Sequence, residues 1–143
     1  MITISQSTDP GAFSATHYVV TQTPDGSWHW TLTGIALLSV RGSSQTWRHE
    51  QVQLILTLPG IGDKWVRLQQ WAPFVTLSSI KNDGQAYFAG WAVDSFKLVD
   101  PKTPAPALTV LCDVAARDSD GFVLRLGYVI HAVGRLEEPP PLG

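Results

Sequence analysis

Cysteine is nearly absent from this chain. Cys112 is the single one among 143 residues, so no intrachain disulfide can staple the fold. Charge is scarce too. Asp, Glu, Lys and Arg make up 15% of the sequence, against roughly 25% in an average soluble protein. The net charge is −2 and the ten Lys and Arg residues are scattered, so no basic stripe attracts nucleic acid or an acidic lipid surface. No apolar run reaches the roughly 20 residues of a membrane helix. The opening Met1-Ile2-Thr3-Ile4-Ser5 lacks the basic-then-apolar order of a secretory leader. The expectation is a cytoplasmic protein that touches neither membrane nor nucleic acid.

Catalytic and cofactor motifs are also missing. There is no Gly-x-Ser-x-Gly elbow, no phosphate-cradling Gly-x-x-x-x-Gly-Lys and no Gly-x-Gly-x-x-Gly. The histidines are His17, His29, His49 and His131, and no two stand two residues apart on one strand face. Cys112 has no metal-binding neighbour in sequence, so neither a metal site nor a cofactor is expected. It reads as a buried, inert thiol. Asp118-Ser119-Asp120-Gly121 begins like a calcium loop, but Val129 stands where the closing carboxylate belongs, so the segment reads as a turn. Asp94 and Asp113 interrupt apolar strands. They read as solvent-facing, with a pocket carboxylate of raised pKa as the alternative.

Helical periodicity is absent as well; a short helical turn near Ser79-Ile80 or within 104–107 is the most the pattern allows. Strand signals recur from end to end. Phe13–Gln22 holds the run His17-Tyr18-Val19-Val20-Thr21, and Pro24-Asp25-Gly26 makes a turn. Trp28–Val40 places Trp28, Trp30, Leu32, Ala36, Leu38 and Val40 on one parity. Trp47–Leu58 and Lys64–Leu77 flank Pro59-Gly60-Ile61-Gly62-Asp63 and read as a hairpin. Gln85–Val99 follows the turn Lys81-Asn82-Asp83-Gly84. Ala107–Arg117 and Phe122–Leu136 flank the turn at 118–121. Ile2–Ser5 is a short edge strand. The strands are long and the connections short, which favours hairpins over the long return of a Greek key. The expected fold is therefore all-β: an antiparallel up-and-down meander of seven to eight long strands closing into a barrel, with a two-sheet β-sandwich as the alternative. One domain spans 1–136, and 137–143 is a proline-rich tail.

The Trp47–Leu77 hairpin has two chemically distinct faces, because successive strand side chains alternate. Val52, Leu54, Leu56, Leu58, Val66 and Leu68 form an apolar face. Trp47, Gln51, Gln53, Trp65, Arg67, Gln69 and Trp71 form the other. In a hairpin centred on Ile61, Gln53 faces Gln69 and Gln51 faces Trp71, about 5 Å apart. Indole rings stack on sugar faces or flat apolar ligands, and amides orient hydrogen bonds, so these seven residues are the candidate ligand site. The competing reading places the tryptophans against a barrel interior or a subunit. A one-residue slip would exchange the two faces. Trp28–Val40 and Phe122–Leu136 are apolar on both faces as well, and with so little charge a homo-oligomer is the expected cover.

The stretch Asp83-Gly84 … Ala89-Gly90-Trp91-Ala92 resembles one strand of allene-oxide-cyclase-type barrels. The glycine-rich repeats that follow in such proteins are absent after Val99, so no functional residue is carried across. Three functional readings follow. The first is a small barrel holding a small apolar or sugar-like ligand against the Trp/Gln face. The second is a small-pocket isomerase or cyclase that shapes its substrate, with catalytic residues unknown. The third is a structural protein that assembles with copies of itself.

Overall fold

The computed structural model describes residues 1–43, 46–82, 89–99, 104–118, 121–139 and 141. Eight strands run in order: β1 (Ile2–Ser5), β2 (Phe13–Gln22), β3 (Trp28–Arg41), β4 (Trp47–Thr57), β5 (Trp65–Asn82), β6 (Gly90–Leu98), β7 (Ala107–Arg117) and β8 (Gly121–Glu137). The one helical element among the described residues is a 3₁₀ turn at Pro10–Ala12; Ser79-Ile80 instead continues β5. Residues 83–88, which carry Asp83-Gly84 of the cyclase-like stretch and the start of the expected sixth strand, lie outside the described residues, while Gly90-Trp91-Ala92 of that stretch open β6.

The chain is all-β, as expected, but it is not a meander. One sheet has the order β1-β4-β7-β6 and the other β2-β3-β8-β5. Among the described residues the sheets do not close into a barrel, and the two-sheet sandwich fits. Consecutive strands change sheet at β1 to β2, β3 to β4, β4 to β5, β5 to β6 and β7 to β8. Short connections misled the sequence reading for a physical reason. Packed sheets lie only about 10 Å apart, so a few residues can carry the chain from one to the other as easily as around a hairpin.

Alternation decides what lies between the sheets. On β4, Val52, Leu54 and Leu56 are buried; on β7, Leu108, Val110, Cys112 and Val114; on β3, Trp30, Leu32, Ala36 and Val40; on β8, Leu126, Tyr128, Ile130 and Ala132. These rows meet in one core. The Trp30 indole donates to the Pro59 carbonyl at 3.0 Å and stacks with Trp28 at 6.1 Å, which ties one end of the sandwich across the two sheets.

The topology rests on a ribbon folded over itself. β3 pairs antiparallel with β8, and β4 with β7. The crossovers β3 to β4 and β7 to β8 therefore turn the same corner side by side. There Gly42 N–H donates to the Gly121 carbonyl at 2.9 Å. A Cβ on Gly42 would stand 2.3 Å from the Asp118 carbonyl oxygen, and one on Gly121 would stand 2.4 Å from that of Arg117. Asp118 itself takes a left-handed φ of 70° to make the turn, a conformation Asp tolerates better than most residues. The backbones touch because neither glycine has a side chain. Gly42→Ala is expected to lower stability by about 1–3 kcal/mol, as overpacking against rigid backbone does. Urea unfolding should show a lower midpoint with an unchanged m-value.

Candidate functional site

The expected hairpin is not formed, so its ligand face is divided. β4 lies between β1 and β7, with Trp47 opposite Arg117, Gln51 opposite Asp113 and Gln53 opposite Leu111. β5 lies in the other sheet against β8, with Trp65 opposite Glu137 and Arg67 opposite Arg135. Gln53 therefore does not face Gln69, and Gln51 does not face Trp71. The linking residues 58–64 explain this. Gly60 and Gly62 both adopt positive φ, at 86° and 62°, and swing the chain across the sandwich while Leu58 and Ile61 are buried. The two aliphatic faces are satisfied by facing each other across the core rather than lying side by side.

A second local event moves Trp71. The β5–β8 register shifts between Leu68 and Gln70. Before the shift Val66 points inward; after it Trp71 pairs with buried Ala132 and shares the parity of buried Val75. Gln69 occupies the irregularity, so Trp71 leaves the face that carries Arg67. The Arg67 guanidinium pairs with Glu137 on β8, which holds its pKa above the ordinary arginine value.

Trp47, Gln51 and Gln53 do share the outer face of the first sheet. The Trp47 ring lies across β7 onto Gly90, where a Cβ would come within 2.8 Å of it. With His49, Ala92 and Ala115 it bounds a shallow hollow of about 220 Å³. His49 Nδ1 stands 3.7 Å from the Asp113 carboxylate, so Asp113 faces outward as expected.

The deeper recess lies at the far side, beneath β2. β1 ends at Ser5 and leaves the inner face of β2 uncovered. The resulting cleft is about 200 Å³ and mainly apolar, with Leu32, Leu56 and Pro59 against Tyr18 and Tyr128. Its polar wall is built across the sheets. Gln6 Nε2 donates to Tyr128 Oη at 3.3 Å, while Gln6 Oε1 accepts the Thr57 backbone N–H at 2.8 Å. Tyr128 can lie there because its cross-strand neighbour is Gly34, whose Cβ would fall 2.3 Å from the hydroxyl. Phe13 holds the ring edge-on, 6.3 Å away. Above the cleft, β2 is irregular between Ser14 and His17, and Ala15 takes a φ of 49°. Such strained bulges concentrate beside functional clefts. Nothing local in the sequence marks Gln6, whose partners lie 122 and 51 residues away in the chain. Gly34, set in an apolar strand, was the one local signal of a close approach.

Burial raises the Tyr128 pKa above the ordinary phenol value, against hydrogen bonds with Thr16 and Gln6 that lower it. The hydroxyl is thus a neutral donor and acceptor. Burial, then the neighbouring Asp113 carboxylate, push the Cys112 thiol from 9.0 up to about 11. Its Sγ donates to the Val52 carbonyl at 3.6 Å. Asp25, in the β2–β3 turn, is held down at about 2, first by its hydrogen bond from Thr23 and then by the Ser27 N–H. Among the described residues no three His, Cys, Asp or Glu side chains are grouped to hold a metal ion, and no helix is long and apolar enough to cross a membrane. Comparison with protein-family models, with curated proteins and with solved structures returns no match.

The thiol carries a pH prediction. Cys112 holds its proton more tightly in the folded chain than in the unfolded one. Its contribution to stability is complete below pH 9.0 and is lost as pH rises through about 11. The loss should reach about 2–3 kcal/mol. Denaturant midpoints measured against pH should fall across this window and flatten in Cys112→Ala. In the folded wild type at pH 8 the thiol should stay silent to a disulfide reagent that labels it once the chain is unfolded.

Proposed function

We propose that this chain is a non-catalytic binding module whose ligand enters the cleft beneath β2. The observation that carries this reading is the combination of an apolar recess with a single polar wall, a common design of small-molecule sites. Leu32, Leu56 and Pro59 supply apolar surface. Tyr128 and Gln6 supply the oriented donor and acceptor. Size limits the ligand. The recess of about 200 Å³ is below the roughly 300–1,000 Å³ of drug-sized sites, yet an apolar cavity of about 150 Å³ holds benzene. The fitting class is one aromatic ring or a short alkyl body with one hydrogen-bonding group. The filled core supports a cleft at the margin over the interior barrel pocket on which a substrate-shaping cyclase would depend.

The Trp47 hollow supports a second, sugar-like reading. An indole whose outer edge rests on Gly90, on the face that carries Gln51, Gln53 and the His49–Asp113 pair, offers ring surface for stacking with polar neighbours.

The two readings are separated by titration. Adding p-cresol should move the backbone amide resonances of Gln6, Leu32 and Thr57 saturably, and Thr16→Trp, which enlarges a side chain that reaches Tyr128 in the cleft, should abolish the response. Scattered or non-saturating shifts would sink the cleft reading. A response to glucose confined to Trp47 and Gln51, and lost in Trp47→Ala, would favour the hollow instead.

A further inference from the structure

We infer that the outer edge of β2 pairs with β2 of a second copy of this chain, antiparallel and about a two-fold axis, to make one continuous eight-stranded sheet. Natural edges are shortened, charged, bulged or blocked by proline. Three of the four edges here are guarded in these ways. β1 is only 4 residues long. β5 carries Pro73 in mid-strand, Arg67 and Lys81 near its ends, and three register shifts. β6 carries Lys97 and a register shift after Val93.

β2 has almost none of these guards. It is 10 residues long and contains no proline, lysine, arginine, aspartate or glutamate. Its one irregularity lies near its start, before His17. From His17 to Gln22 it runs in unbroken register with β3, so its other edge presents a regular row of backbone donors and acceptors. Among the described residues no strand pairs with that edge. Tyr18 on the inner face and Val19 on the outer face are each 61% exposed, so both faces and the edge are open at the same place.

The strand's chemistry suits a copy of itself. An uncharged strand meets no repulsion from its own sequence. For the faces of both sandwiches to stay aligned, opposite residues must have the same parity. Centring the axis on Val19 then sets Val19 beside Val19, Tyr18 beside Val20 and His17 beside Thr21 of the second copy. These are the β-branched and aromatic cross-strand pairs that stabilise antiparallel sheets. The row Val19, Thr31, His131, Ala72 across the outer face would run on into its symmetry mate.

Sedimentation equilibrium of the full chain over a concentration series tests this. The wild type should show a monomer–dimer equilibrium. Val19→Lys puts two ammonium groups opposite each other and should raise the dimer dissociation constant by about tenfold or more. Circular dichroism should stay unchanged, because Val19 makes no core contact. Val19→Cys should yield a disulfide-linked dimer on mild oxidation, with the buried Cys112 not competing, while Gln51→Cys on the opposite sheet should not. A wild type monomeric throughout, a dimer indifferent to Val19→Lys, or no cross-link through Val19→Cys would each overturn the inference. Val19 points away from the cleft, so p-cresol binding to the monomeric variant reads the cleft separately.

Discussion

Two crossovers that touch at Gly42 and Gly121 hold this architecture together. Each carries half of a paired ribbon around the corner of the sandwich, and the 2.9 Å hydrogen bond between their backbones requires that neither bear a Cβ. Once that contact is made, β3 and β8 continue in one sheet and β4 and β7 in the other. The core rows on all four strands then face each other without further choice. β5 and β6 add to the outsides of β8 and β7, while β1 and β2 add to those of β4 and β3. The corner thus sets the strand order that everything outside it inherits.

The proposed binding surface follows from an imbalance in those additions. β1 has 4 residues and β2 has 10, so the two flanking strands do not cover each other. The uncovered stretch of β2 produces the cleft on its inner side, while its edge is open because β2 is the last strand of its sheet. Gln6, just past the end of β1, closes the gap as far as one side chain can by bonding to both Tyr128 and Thr57. The proposed cleft and the proposed pairing edge thus lie on one strand, the cleft on its inner face and the other at its free margin.

Much of the fold was legible in single residues. Val52, Leu54 and Leu56 had to be core on any topology, because alternation places them together and water disfavours them. The turn around Pro24-Asp25-Gly26 was legible because proline and glycine restrict the backbone locally, and Gly26 indeed takes a φ of 87°. The partner of β4 was not. Val52 packs equally well beside Val66 in a hairpin or across from it in a sandwich, so hydrophobic pattern alone does not distinguish the two. The Trp/Gln face is divided between the sheets for that reason and for one more, since a single irregularity at Gln69 reversed the face of Trp71 without altering composition.

The sequence by itself determined that the chain is all-β, that Trp30, Leu32, Val52, Leu54 and Leu56 are core, and that Pro24-Asp25-Gly26 makes a turn. These are local matters, governed by alternation, backbone restriction and solubility. Tertiary structure alone decided which strands pair, that Gln6 meets Tyr128 across 122 residues, and that Trp47 rests on Gly90. Such contacts depend on the corner geometry and on register, which join residues with no signature in each other's neighbourhood. β2 belongs to both accounts. Its uncharged run was plain in the sequence, but its standing as an open edge came from its place at the end of the sheet.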